Sequence, residues 1–163
     1  MDPTFRSTPG KILVIDDNPV VLGALSLALK AGGYQVFEAV DASAAFHLAR
    51  RVRPDLIVLD IFFPPDTSQS GNSWNAFMII DWFRRMGVIG NTPIIVISGA
   101  EPEMFRERCL ADGVAAFFTK PVDHRGLLDA VGQILGDRAG RSQPGQHSSH
   151  SVKMPSARVQ RST

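Results

Sequence analysis

Cysteine is nearly missing: Cys109 is the only one in 163 residues. A lone thiol closes no internal disulfide, so stability has to come from a buried core, and a reducing compartment is the expectation. Histidine occurs four times, at 47, 124, 147 and 150. His147 and His150 lie in the tail, too isolated for a metal site, and no cysteine or histidine is placed to join a carboxylate cluster, which argues against a zinc centre. No apolar run approaches the roughly 20 residues that span a bilayer. The first ten residues, MDPTFRSTPG, lack the apolar region of a secretory signal and read as a flexible leader. A soluble, cytoplasmic chain is expected.

Strong charge of either sign is lacking as well, with a net of +1, but the balance is uneven along the chain. Residues 1 to 136 carry twelve Lys and Arg against fifteen Asp and Glu, a net of −3, while residues 137 to 163 carry five against one, a net of +4. The slightly basic pI therefore belongs to a tail, and the body offers no nucleic-acid surface. The tail from 137 onward is Ser, Gln, Arg, Pro and Gly with few large apolar residues. It cannot bury enough surface to offset its ordering entropy, so disorder is expected. The whole chain is 44% hydrophobic, enough for the body to bury a core.

Short apolar runs punctuate this body. Lys11 to Ile15 (KILVI) reads as a first strand, leaving at Asp16-Asp17-Asn18-Pro19. Asn18 is placed to cap a helix opened by Pro19 and stopped at Gly32-Gly33. Tyr34 to Ala39 is a second strand and Ala42 to Arg53 a second helix. Leu56 to Leu59, following Asp55 between Pro54 and the Pro64-Pro65 pair, is an unbroken apolar run, which fits a central strand covered on both faces. A polar loop from Pro65 to Ser73 and a helix from Trp74 to Arg85 follow. Thr92 to Ile97 and Ala115 to Thr119 complete five strands, separated by a fourth helix over Glu103 to Asp112. A fifth helix over Asp123 to Leu135 closes the series. Strands alternating with helices predict an α/β fold: a doubly wound, five-stranded parallel sheet of order 2-1-3-4-5, flavodoxin-like, with helices on both faces.

In such a sheet every strand leaves at one edge. Asp16 and Asp17 follow the first strand, Asp60 the third, Ser98 the fourth and Lys120 the fifth. Taken singly, each has an ordinary explanation as a turn or surface residue. Together they bring three carboxylates to the cleft where the winding reverses. Like charges so close resist joint ionisation unless a cation joins them, and hard oxygen ligands with room for water suit Mg²⁺. Lys120 and Ser98 are the groups expected around a phosphoryl group. Asp60, on the central strand, is the candidate nucleophile for an aspartyl phosphate.

The stretches ILVIDDNP, DLIVLDIFFP, PIIVISGA and AAFFTKP resemble, in order, the receiver domain of two-component response regulators, over Lys11 to about Leu135. The resemblance implies that Asp16 and Asp17 hold Mg²⁺, with Asp60 and the Phe62 backbone carbonyl completing the protein ligands. It implies that Asp60 is phosphorylated by a histidine kinase or phosphotransfer protein. Ser98 then binds a phosphoryl oxygen, Lys120 pairs with it, and Lys120-Pro121 is a cis bond. Phe117, three before the lysine, aligns with the family's switching aromatic, with Phe118 beside it. Movement of Ser98 and the aromatic would alter the face formed by the fourth helix, fifth strand and fifth helix, and with it partner binding. Domain limits of 11 to 136 follow, with too little chain beyond for an output domain, so a stand-alone receiver rather than an enzyme is expected.

Two departures bear on this reading. Ser98 lies 38 positions after Asp60, longer than usual, with the excess in the loop from Pro65 to Ser73. Phe62 and Ala100, two after Asp60 and Ser98, have no polar side chain to orient a hydrolytic water, so phosphate loss should be slow. A degenerate receiver serving only as a binding module is an alternative. A haloacid-dehalogenase-type phosphatase needs a second Asp where Phe62 stands, and a flavodoxin needs a phosphate-binding loop where the acidic DDNP stands. Asp66, His47, His124, Trp74 and Trp82 are expected to be solvated or packed rather than functional.

Overall fold

The structure is a computed structural model that describes residues 9–61, 76–99, 107–108 and 111–141, the side chains of 137–141 excepted. Five strands, β1 (Lys11–Ile15), β2 (Gln35–Ala39), β3 (Leu56–Asp60), β4 (Ile94–Ser98) and β5 (Ala116–Thr119), alternate with helices α1 (Pro19–Ala31), α2 (Ala42–Val52), α3 (Ala76–Arg85) and α4 (His124–Arg141). All pairings are parallel and the order is β2-β1-β3-β4-β5, as the alternation predicts. Glu107, Arg108 and Ala111, from the segment read as a fourth helix, are helical, and the rest of that segment lies outside the described residues. The loop from Pro65 to Ser73 also lies outside them, as do Phe62, Asp66, Trp74, Ala100, Cys109, His147, His150 and everything past Arg141.

Alternate residues of the central strands feed two cores. Leu13, Ile15, Ile57, Leu59, Ile94 and Val96 pack with Ala45 and Ala49 of α2 and with Phe77, Ile79, Ile80 and Phe83 of α3. Ile12, Val14, Leu56, Val58, Ile95 and Ile97 pack with Leu22, Leu25 and Leu29 of α1 and with Leu127 and Val131 of α4. A strand covered on both faces must be apolar at every position, which is why LIVLD and IIVIS show no polar alternation. Every residue of β3 and β4 is buried.

Local chemistry sets the helix ends. The Asn18 side chain accepts from the Val20 and Val21 amides at 2.9 and 3.4 Å, capping α1 just ahead of Pro19. Asp41 caps α2 through the Ala44 amide at 2.6 Å, and the Asp123 side chain accepts from the Arg125 amide at 3.1 Å ahead of α4. Gly33 (φ 90°) follows α1 and Gly87 (φ 66°) follows α3 in the left-handed region, whereas α2 ends on Arg53 with φ 51°. The last helix departs from expectation. It passes Leu135 and Gly136 and continues to Arg141. Glycines at 136 and 140 weaken a helix by about 1 kcal/mol each without stopping it, and the next proline is Pro144. Between β3 and α3 the chain leaves and returns at one point: the Ile61 amide donates to Ile97 O at 2.8 Å, and Ile61 O accepts from the Ala76 amide at 3.0 Å.

Candidate functional site

Sheet register sets the site. Ile15 pairs with Leu59 and Asp60 with Ile97, so Asp16, the next residue of the first strand's path, comes level with Asp60. Ser98 pairs with Thr119, which puts Lys120 one step past the edge. The Lys120 amide then donates to Ser98 O at 2.7 Å, tying the exits of β4 and β5. Asp16 is fixed in turn: its amide donates to Ala39 O at 3.2 Å, and its Oδ1 accepts from the Asn18 amide at 2.9 Å. The same DDNP turn therefore caps α1 and aims a carboxylate into the cleft.

Carboxylate oxygens of Asp16, Asp17 and Asp60 all lie within 4.8 Å of one another; Asp16 and Asp60 are buried and Asp17 is exposed. Lys120 Nζ bridges the two buried ones, 2.8 Å from Asp16 Oδ2 and 3.0 Å from Asp60 Oδ2, with its own side chain 22% exposed. Burial alone would lower the Lys120 pKa, but hydrogen bonds to Asp16 and Asp60, reinforced by their charges, outweigh it and hold the ammonium above its ordinary value. One ammonium leaves the three carboxylates under-compensated. A divalent hard cation with one exposed and two buried carboxylate donors fits this set, whereas nothing in it favours a soft metal.

The residues singled out at four strand exits, Asp16, Asp17, Asp60, Ser98 and Lys120, thus share one edge, and Ser98 is buried there with 1% of its surface exposed. The Lys120-Pro121 peptide is cis, as the family resemblance implies. Phe117 and Phe118 divide between the two faces of β5: Phe117 packs on the core shared by α2 and α3, Phe118 on that shared by α1 and α4. His47 and His124 are exposed, and Trp82 stacks on Phe46 with ring centroids 4.7 Å apart. The direct grip of Lys120 on Asp16 had no linear signal, since 104 positions separate them. Nor did a concavity at the opposite edge of the sheet, lined by Phe46, Arg50, Arg53, Met86 and Val88. Its one sequence clue is an arginine, not a glycine, between the second helix and Pro54.

A doubly wound parallel sheet with an acidic triad and a lysine at its carboxyl edge defines a receiver-type signalling domain. Residues 12–132 match the family model of the response regulator receiver domain, and the chain belongs to that family. Among its relatives, Protein PilH of Pseudomonas aeruginosa is 26% identical over 125 residues, spanning 77% of this chain and 97% of PilH. The polar-differentiation response regulator DivK of Brucella anthropi is 23% identical over 129 residues, 79% of this chain and 98% of DivK. The DNA-binding dual master transcriptional regulator RpaA of Synechocystis is 28% identical over 138 residues, but the match spans only 54% of RpaA. Among solved structures, the chemotaxis response regulator CheY4 of Vibrio cholerae aligns with a TM-score of 0.66 at 25% identity, over 78% of this chain and 99% of CheY4. A response regulator receiver protein from Pseudomonas putida aligns with a TM-score of 0.66 at 29% identity, over 78% and 98% of the two chains. No helix among the described residues is long and apolar enough to cross a membrane.

Proposed function

We propose that this chain is a stand-alone response regulator that accepts a phosphoryl group on Asp60 from a histidine kinase or phosphotransfer protein and thereby changes which protein it binds. The observation that carries this reading is the Lys120 ammonium bridging Asp16 and Asp60 beside Asp17 at the strand exits. Asp60 Oδ attacks phosphorus, the bond from phosphorus to the donor breaks, and the donor leaves with that electron pair. Lys120, already 3.0 Å from Asp60 Oδ2, turns its ammonium to the new phosphoryl oxygens. Ser98 donates its hydroxyl to another. Asp16, Asp17 and Asp60, with the Phe62 carbonyl, would hold Mg²⁺, which when bound supplies positive charge against the phosphoryl oxygens. Phe117 follows Ser98 as the switching aromatic. A cytoplasmic site of action and a role outside enzyme turnover belong to the same reading.

A protein donor is supported by α1, whose N-terminus adjoins Asp16 and Asp17. Val20 and Leu27 are 77% and 72% exposed, Gly23 and Ala24 are exposed between them, and Lys30 is the only charged residue of the helix. That stripe gives a helical partner an uncharged surface beside the acceptor. Incubation with Mg²⁺ and acetyl phosphate, read by intact mass, should give one phosphoryl adduct that is absent in Asp60→Asn and in chelator. Because Phe62 and Ala100 offer no polar side chain to position a water, the adduct should outlast minutes once the donor is removed. No adduct with any small phosphodonor would leave a binding module, and decay within seconds would refute the slow-loss argument.

A further inference from the structure

We propose that the concavity at the sheet edge opposite Asp60 binds a small organic anion with a planar apolar part, the chemistry of a mononucleotide. It lies between the C-terminal ends of α2 and α3 and has a volume of about 640 Å³, within the usual range for small-molecule sites. Three arginines, 50, 51 and 53, crowd the end of α2. Among the described residues no carboxylate lies within ion-pair distance of any of them, whereas Arg85 pairs with Asp81 at 2.9 Å and Arg84 donates to Asp112 O at 2.8 Å.

One of these cations rests on an aromatic ring, and another stands on an unusual backbone turn. The Arg50 guanidinium sits 5.8 Å from the centroid of the Phe46 ring, which is itself stacked on Trp82, so the fork is oriented before any ligand arrives. Arg53 takes φ 51° at the end of α2, where α1 and α3 give the equivalent left-handed turn to Gly33 and Gly87. A glycine would make that turn with less strain; the arginine instead sets a charge at the mouth of the concavity. Backbone held in a sparsely populated region recurs at ligand clamps. Beneath the arginines the lining turns apolar, with Pro54 and Ile89 buried and Met86, an adaptable side chain, 58% exposed.

This combination selects the occupant. Inorganic phosphate would satisfy the guanidinium forks and leave the apolar floor wet. The chain's own residues 137 to 163, at net +4, would be repelled. A mononucleotide meets both halves, its phosphate on Arg50 and Arg53 and its base against Met86 and Val88. None of these residues touches the acceptor cleft, so the inference stands apart from the chemistry at Asp60.

Titration calorimetry with AMP and GMP, without Mg²⁺, tests it. Saturable binding is expected, weakened at least about tenfold in Arg53→Gly and Arg50→Gln and unchanged in Asp60→Asn. Glycine suits the left-handed turn, so Arg53→Gly should melt no lower than the parent, which separates lost binding from lost fold. The proposal is overturned by the absence of saturable nucleotide binding up to millimolar concentration. Full retention of binding in Arg53→Gly, loss in Asp60→Asn, or equal affinity for inorganic phosphate or adenosine would also overturn it. So would capture of a glutamate-rich peptide in place of either nucleotide.

Discussion

At the strand exits a single ammonium faces three carboxylates, and this imbalance decides how the cleft answers to pH. The folded pKa of Lys120 lies above its unfolded value of about 10.4. Its contribution to stability is therefore complete below that value and is lost as pH rises through the folded one. Urea unfolding followed from neutral pH into the alkaline range should show the parent losing stability more steeply than Lys120→Met. At neutral pH that variant should already be weaker, because Asp16 and Asp60 stay buried without their cation. Equal slopes for the two proteins would mean that the ammonium is not bound as the 2.8 and 3.0 Å contacts require.

Among the elements, α1 serves both the core and the cleft. Leu22, Leu25 and Leu29 anchor it, but Ser26, 2% exposed, holds a hydroxyl with no hydrogen-bond partner among the described residues. Ser26→Ala removes that desolvated group and improves helix propensity, so thermal melting should show a gain of roughly 1 kcal/mol; a loss would mean the hydroxyl is satisfied in solution. Much of the element order was legible in the sequence because its signals are local. ILVI and LIVL are short unbroken apolar runs, and Asn18-Pro19 and Gly32-Gly33 bracket α1 by backbone chemistry. The clustering of Asp16, Asp17, Asp60 and Lys120 was legible too, since a parallel sheet sends all its strand ends to one edge. The end of α4 was not, because a glycine at 136 lowers helix propensity without forbidding it. The arginine-lined concavity was not either: arginines and a methionine at two helix ends read as ordinary solvated surface until the fold sets them side by side.

For the whole molecule, a ligand that binds only the native state raises global stability by mass action. Mg²⁺ at ten times its dissociation constant should add about 1.4 kcal/mol, read as a higher melting temperature that chelator reverses and Asp17→Asn lacks. An unchanged melting temperature would remove the case for a cation at the triad. The hydrogen bond from the Ala76 amide to Ile61 O has a consequence of a different kind. Ile61 and Ala76, both buried, are held together, so the number of residues between them adds to the length of the chain without adding to the separation of β3 and α3. Closing a loop twice as long costs only about 0.6 kcal/mol. The 38 positions from Asp60 to Ser98 therefore measure contour, not distance, and insertions or deletions within that segment can accumulate in descendants of this gene while the acidic cleft keeps its dimensions.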